Sequence, residues 1–147
     1  MKLLVLNGPN LNLLGLREPE IYGKQDYLYL CQLIKQHATQ IGVEVEIRQT
    51  NHEGVLVDWI QQARGQFDGI VLNPAAYTHT SVALLDAVAA VGLPTVEVHI
   101  SDVTRREAFR RISYVRSACV ATIAGHGLEG YLEAMDTLSL QWNRRSL

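Results

Sequence analysis

Glu97 and His99 stand two apart in the run Thr95-Val96-Glu97-Val98-His99-Ile100. On a strand both side chains leave the same face, with Glu97 deeper in the sheet and His99 nearer its end. A carboxylate behind an imidazole sets the orientation and basicity of the ring, which can then carry a proton near neutral pH. The same spacing also suits a satisfied buried pair with no chemistry. His52, His79, His99 and Glu97 are ligand types for a metal, but no HxxxH pattern or cysteine pair accompanies them, and no metal is expected.

Two further segments carry polar groups suited to a small ligand. Asn73-Pro74-Ala75-Ala76-Tyr77-Thr78-His79-Thr80-Ser81 sets neutral donors and acceptors at the head of a helix, where free backbone N–H groups favour hydroxyls or a small anion. Thr80 or Ser81 suits a helix cap, while Asn73 and His79 are candidates either for ligand contact or for closing the turn. Arginines 105, 106, 110, 111 and 116 form a solvated face or place one guanidinium against a carboxylate, and spacing does not choose between them. Asn7-Gly8-Pro9-Asn10-Leu11-Asn12 matches neither nucleotide-loop pattern, and Pro9 removes a backbone donor. A phosphoacceptor domain of this topology needs acids where Asn7 and Asn73 stand.

These residues need a scaffold, and the apolar runs predict one. Leu3–Leu6 is uniformly apolar, as in a strand covered on both faces, and Asn7-Gly8-Pro9 closes it. The loop 8–25, with Pro19-Glu20-Ile21-Tyr22-Gly23, is too long and polar for a simple connection, as lids often are. Asp26 caps a predicted helix from Tyr27 to Gln40, and Gly42 stops it. Val43–Ile47 alternates like an edge strand. A helix over Val55–Ala63, a strand over Phe67–Leu72, and a helix from Thr80 or Ser81 through Val91 follow. That last helix has Asp86 as its only charge and is apolar nearly all round, so it is expected to meet another subunit. Thr95–Ile100 and Ala118–Ala124 are the fourth and fifth strands. Arg105–Arg111 reads as a short basic turn between them, and a helix from Gly127 to about Asn143 precedes a solvated tail.

Five strands alternating with helices predict a single domain over 1–147: a doubly wound, parallel, five-stranded α/β sheet of flavodoxin-like order 2-1-3-4-5. The site then lies at the carboxyl ends of the strands, where Asn7, Asn73 and His99 fall. Of the residues, 48% are hydrophobic and 19% charged, which suits a globular domain. The formal charge of −2 lacks the basic excess of a nucleic-acid binder. Cys31 and Cys119 are isolated, as in a reduced protein. The apolar start is broken at Asn7 before it reaches signal-peptide length, and no run is long enough to span a membrane; a soluble, cytoplasmic protein is expected.

Together the segments NGPNLNLLGLREPEIYG, QTNHEG, NPAAYTHTSVAL, EVHISD with RREAFR, and GHGLEGY resemble type II 3-dehydroquinate dehydratase over nearly the whole chain. The resemblance implies a flavodoxin-like enzyme, a dodecamer of four trimers, that converts 3-dehydroquinate to 3-dehydroshikimate by anti elimination through an enolate, with no metal and no cofactor. It implies Tyr22 as the base, His99 as the acid with Glu97 behind it, Arg17 as the residue that assists Tyr22, and Asn12 as the holder of a water near the enolate. It further implies that Asn73, His79, Arg110 and the backbone at Ile100 and Ser101 hold the substrate, and that Asp86 acts across a subunit boundary. Ala75, Leu85 and Asp102 stand where the family pattern favours glycine, arginine and asparagine. A small-anion binding module and a metal-dependent lyase are the alternative readings.

The implied chemistry is coherent with the groups. A proton beside a ketone is weakly acidic, so its removal requires a strong base and stabilisation of the enolate oxygen. A tyrosine hydroxyl has a reference pKa of about 10, and bringing it to about 8 takes about 2.7 kcal/mol, which a close guanidinium in a water-poor site supplies.

Overall fold

The computed structural model describes residues 1–16, 20 and 25–145. Tyr22 and Arg17, which fall in the expected lid, lie outside the described residues.

Five strands form one parallel sheet: β1 (Lys2–Asn7), β2 (Glu44–Gln49), β3 (Gly69–Asn73), β4 (Thr95–His99) and β5 (Ala121–Ala124), in the order β2-β1-β3-β4-β5. This is the flavodoxin-like order expected, with the alternating strand at the edge. Among the described residues the longer helices are α1 (Tyr27–Ile41), α2 (Glu53–Gln62) and α3 (Val82–Val91) between strands, and α4 (Glu129–Arg145) after the last one.

The uniformly apolar strands have a simple cause. Leu3 and Val5 pack with α1 and α4 through Leu30, Ile34, Tyr131 and Met135, whereas Leu4 and Leu6 pack with α2 and α3 through Leu56, Ile60 and Leu84. Alternate side chains of β1 thus serve two cores, and each fully buried leucine contributes about 1.5–3 kcal/mol of transfer free energy. On β2, Val45 and Ile47 join the first core. The other face is less wet than expected: Arg48 pairs with Glu46 and lies over the Trp59 and Phe67 rings.

Local chemistry sets the ends of the elements. Asp26 accepts from the Tyr29 N–H at 2.8 Å and Ser81 from the Leu84 N–H at 3.0 Å, while Gly42 and Gly92 end α1 and α3 in the left-handed conformation. Most boundaries shift by one or two residues from expectation, β3 for example running Gly69–Asn73 instead of Phe67–Leu72, and three of the shifts have a visible cause. Helix α2 begins at Glu53 instead of Val55, because the backbone of His52 already accepts from Leu56. Val115–Ala118 is a 3-10 turn closed by Cys119 N–H to Arg116 C=O, which delays β5 to Ala121. Helix α4 runs to Arg145, so Arg144 is helical and not part of a tail. Among the described residues, no helix is long and apolar enough to cross a membrane.

The register sets Asn7 level with Gln49 on one side and Asn73 on the other, so β1 and β3 end together and their loops part there. The two loops touch: Gly8 N–H donates to the Asn73 carbonyl at 2.8 Å, and a Cβ on Gly8 would lie 2.5 Å from the Pro74 oxygen. Only glycine permits that approach. Ala75 lies opposite with φ of 53°, where a Cβ is strained by about 1–2 kcal/mol. The departure from glycine at this position therefore has a physical cost. Ala75→Gly is expected to leave stability to denaturant unchanged or raise it by up to about 1 kcal/mol, against the usual loss of about 0.5–1. A loss above about 1 kcal/mol would show that Ala75 is not strained.

Candidate active site

At the carboxyl ends of β1, β3 and β4 a cavity opens. Pro9, Asn10, Leu11, Asn73, Ala75, His79, His99, Ile100, Ser101, Arg106 and Arg110 line it.

His99 closes β4 and is nearly buried, with Nε2 2.7 Å from Glu97 Oε1. Glu97, wholly buried, also accepts from Thr78 Oγ1 at 2.6 Å, Ser113 Oγ at 2.6 Å and Thr122 Oγ1 at 3.0 Å, with Arg116 Nε 3.9 Å away. Burial alone would raise its pKa. The hydrogen bond and charge of His99, with the Ser113 and Thr78 hydroxyls, outweigh burial and hold the carboxyl at about 2. A carboxylate only accepts, so His99 Nε2 carries a proton, and Nδ1 is the nitrogen left for the cavity.

The depressed pKa has a stability consequence. Its contribution, on the order of 3 kcal/mol, is fully present above the ordinary value of 4.5 and is lost as pH falls through about 2. Denaturant titrations from pH 6 to pH 2 are expected to show stability falling below about pH 4.5, with a smaller slope in Glu97→Gln. Equal slopes in the two proteins would mean that Glu97 is not the group responsible.

His79 stacks beside His99, the ring centroids 6.5 Å apart. Its Nδ1 lies 2.6 Å from the Ile112 carbonyl, which can only accept, so Nδ1 bears the hydrogen and Nε2 is free to accept. Burial lowers its pKa, with the charges of His99 and Arg110 adding to the effect, so at neutral pH His79 is a neutral partner for a hydroxyl. Arg110 Nε contacts Glu107 at 2.7 Å, and Arg106 stands beside it in the cavity wall. Of the five arginines, these two face the cavity; Arg105 pairs with Asp102. Asp102 also accepts from Thr104, capping the turn after β4.

The expected residues divide into three groups. Asn73, His79, His99, Ile100, Ser101 and Arg110 line one cavity with Glu97 directly behind. Asn12 and Asp86 are not in its wall: Asn12, between the lining residues Leu11 and Leu13, is exposed and accepts from Gln49 Nε2 at 3.3 Å, and Asp86 is on the exposed face of α3. Arg17 and Tyr22 are outside the described residues. Among the described residues, no three His, Cys, Asp or Glu side chains converge as a metal site. Sequence reasoning missed the hydroxyls around Glu97, the amide links of Gln49 to the Gly8 carbonyl and Asn51, and the contacts of Tyr131. One had a signal, since Thr122 is the register partner of Glu97 in an otherwise apolar strand.

Comparison with known proteins adds what one chain lacks. Residues 1–139 match the family model described as dehydroquinase class II. The chain is 49% identical to a 3-dehydroquinate dehydratase of Clostridium acetobutylicum over 94% of this chain and 96% of that one. It is 56% identical to 3-dehydroquinate dehydratase 2 of Pseudomonas aeruginosa over 90% of each. The crystal structure of a type II dehydroquinase from Butyrivibrio crossotus superposes with a TM-score of 0.93 at 51% identity, covering 94% of this chain and 97% of that one.

Proposed function

Because this chain belongs to the class II dehydroquinase family, we propose that it dehydrates 3-dehydroquinate to 3-dehydroshikimate using its own side chains as base and acid. The observation that carries the chemistry is His99 at the cavity edge, held by a Glu97 that stays ionised.

In this reading Tyr22, as tyrosinate beside Arg17, takes the proton next to the ketone, and the electron pair moves onto the carbonyl oxygen as an enolate. A water held by Asn12 hydrogen-bonds that oxygen. The enolate collapses, the ring C–OH bond breaks, and His99 Nδ1 gives its proton to the departing hydroxyl, so that one water leaves and one C=C forms. Neutral His79 and the Asn73 amide suit the ring hydroxyls. Arg110, with Arg106 beside it, and the backbone of Ile100 and Ser101 suit the carboxylate.

Assembly belongs to the same reading. Helix α3 exposes Val82, Ala83, Ala89 and Ala90 with Asp86 as its only charge, a face suited to another subunit and to presenting Asp86 to a neighbour's site. A dodecamer of four trimers in the cytoplasm is the proposed state, and mass measurement in solution checks it.

The reaction is tested by following enone absorbance after adding 3-dehydroquinate, with and without a chelator. Absorbance rising at the same rate in both is the expected result. No rise at any protein concentration overturns the dehydratase reading, and loss of the rise with chelator overturns the metal-free one.

A further inference from the structure

Tyr131 in α4 is 0% exposed, yet it is not simply a core aromatic. Its hydroxyl donates to Asn7 Oδ1 at 2.6 Å and accepts from Asn73 Nδ2 at 2.8 Å. Asn7 Nδ2 in turn donates to the Tyr27 hydroxyl at 3.4 Å, and Asn73 Oδ1 accepts from the Ala75 N–H at 3.0 Å. The chain of bonds is directional: Asn73 amide to Tyr131 hydroxyl to Asn7 carbonyl oxygen, with the Asn7 amide continuing to Tyr27. Asn7 and Asn73 are register partners at the ends of β1 and β3, both buried.

The positions of these groups relate to the cavity. Asn73 and Ala75 line it. Asn7 directly precedes the loop 8–25, and Tyr27 opens the helix that follows it. One buried hydroxyl therefore links Asn73 in the cavity wall to Asn7 at the end of β1 and, through the Asn7 amide, to Tyr27 at the start of α1.

We propose that Tyr131 is a positioning residue for the dehydration: its hydroxyl fixes which atoms of the Asn73 amide face the substrate. The proposal rests on the dehydratase reading and deepens it. Burial also raises the Tyr131 pKa, so the hydroxyl keeps the proton that it donates to Asn7. Without that hydroxyl, Asn7 Oδ1 loses its donor and the Asn73 amide keeps only Ala75 to orient it.

The test uses Tyr131→Phe and the double variant Tyr131→Phe/Asn7→Leu, each confirmed folded by circular dichroism. Tyr131→Phe is expected to lower stability and to raise KM by about three- to tenfold, the loss of one well-oriented hydrogen bond to substrate. The double variant also removes the Asn7 Oδ1 left without a donor, so stability recovers in part, but the Asn73 amide still has only Ala75 to orient it and KM stays raised. A purely structural Tyr131 predicts the opposite, with KM returning to the wild-type value as stability recovers. That result, or unchanged KM in Tyr131→Phe, overturns the proposal. Inactive wild-type protein would instead count against the dehydratase reading, so the two failures are separable.

Discussion

His99→Gln is expected to lower kcat by about 10²–10⁴-fold, with KM within a few-fold of wild type and the fold intact. Glutamine is chosen because its amide can still donate toward Glu97 Oε1, which His99 Nε2 contacts at 2.7 Å. Removing that donor would leave a buried carboxylate short of its main partner and confuse a folding defect with a chemical one. The Thr78, Ser113 and Thr122 hydroxyls remain in place in either case. What glutamine lacks is a ring nitrogen able to give a proton to the departing hydroxyl. Steady-state kinetics check this, and a kcat within tenfold of wild type would remove His99 from the proton-transfer step.

Tyr22→Phe is expected to have the second large effect, again a loss of orders of magnitude in kcat with substrate binding retained. The substitution deletes one oxygen and preserves the ring. Since the groups assigned to the substrate's hydroxyls and carboxylate lie elsewhere, at Asn73, His79, Arg110 and the turn after β4, affinity for product measured by calorimetry should survive. Near-wild-type turnover contradicts the base assignment. Arg17→Ala distinguishes tuning from binding: if Arg17 stabilises the tyrosinate, the rising limb of the kcat profile moves to higher pH.

The fold was legible because its determinants are local. Leu3–Leu6 is apolar at successive positions since both faces are covered, and Ser81, Gly42 and Gly92 mark helix ends by their own capping chemistry. The start of β5 was not, because Ala118-Cys119-Val120 has the apolar composition of a strand, although the 3-10 turn over Val115–Ala118 and its closure at Cys119 delay the strand to Ala121. At the site, the two-residue spacing of Glu97 and His99 needed only strand geometry to bring them together. The environment of Glu97 was hidden, because Thr78 and Ser113 reach it from loops 19 and 16 residues away in the chain. Tyr131 is the clearest case. Helical periodicity predicts that it is buried, but nothing local indicates that its hydroxyl meets Asn7, 124 residues earlier.

The central claim is that two side chains of opposite function move the two protons. Its most direct test is the pH dependence of kcat in wild type and His99→Gln. A base that must be deprotonated makes the rate rise with pH, and an acid that must be protonated makes it fall. The account predicts a bell in the wild-type protein, and in His99→Gln a slower reaction that keeps the rising limb and loses the falling one. A variant profile that retains the whole bell, merely scaled down, would contradict it.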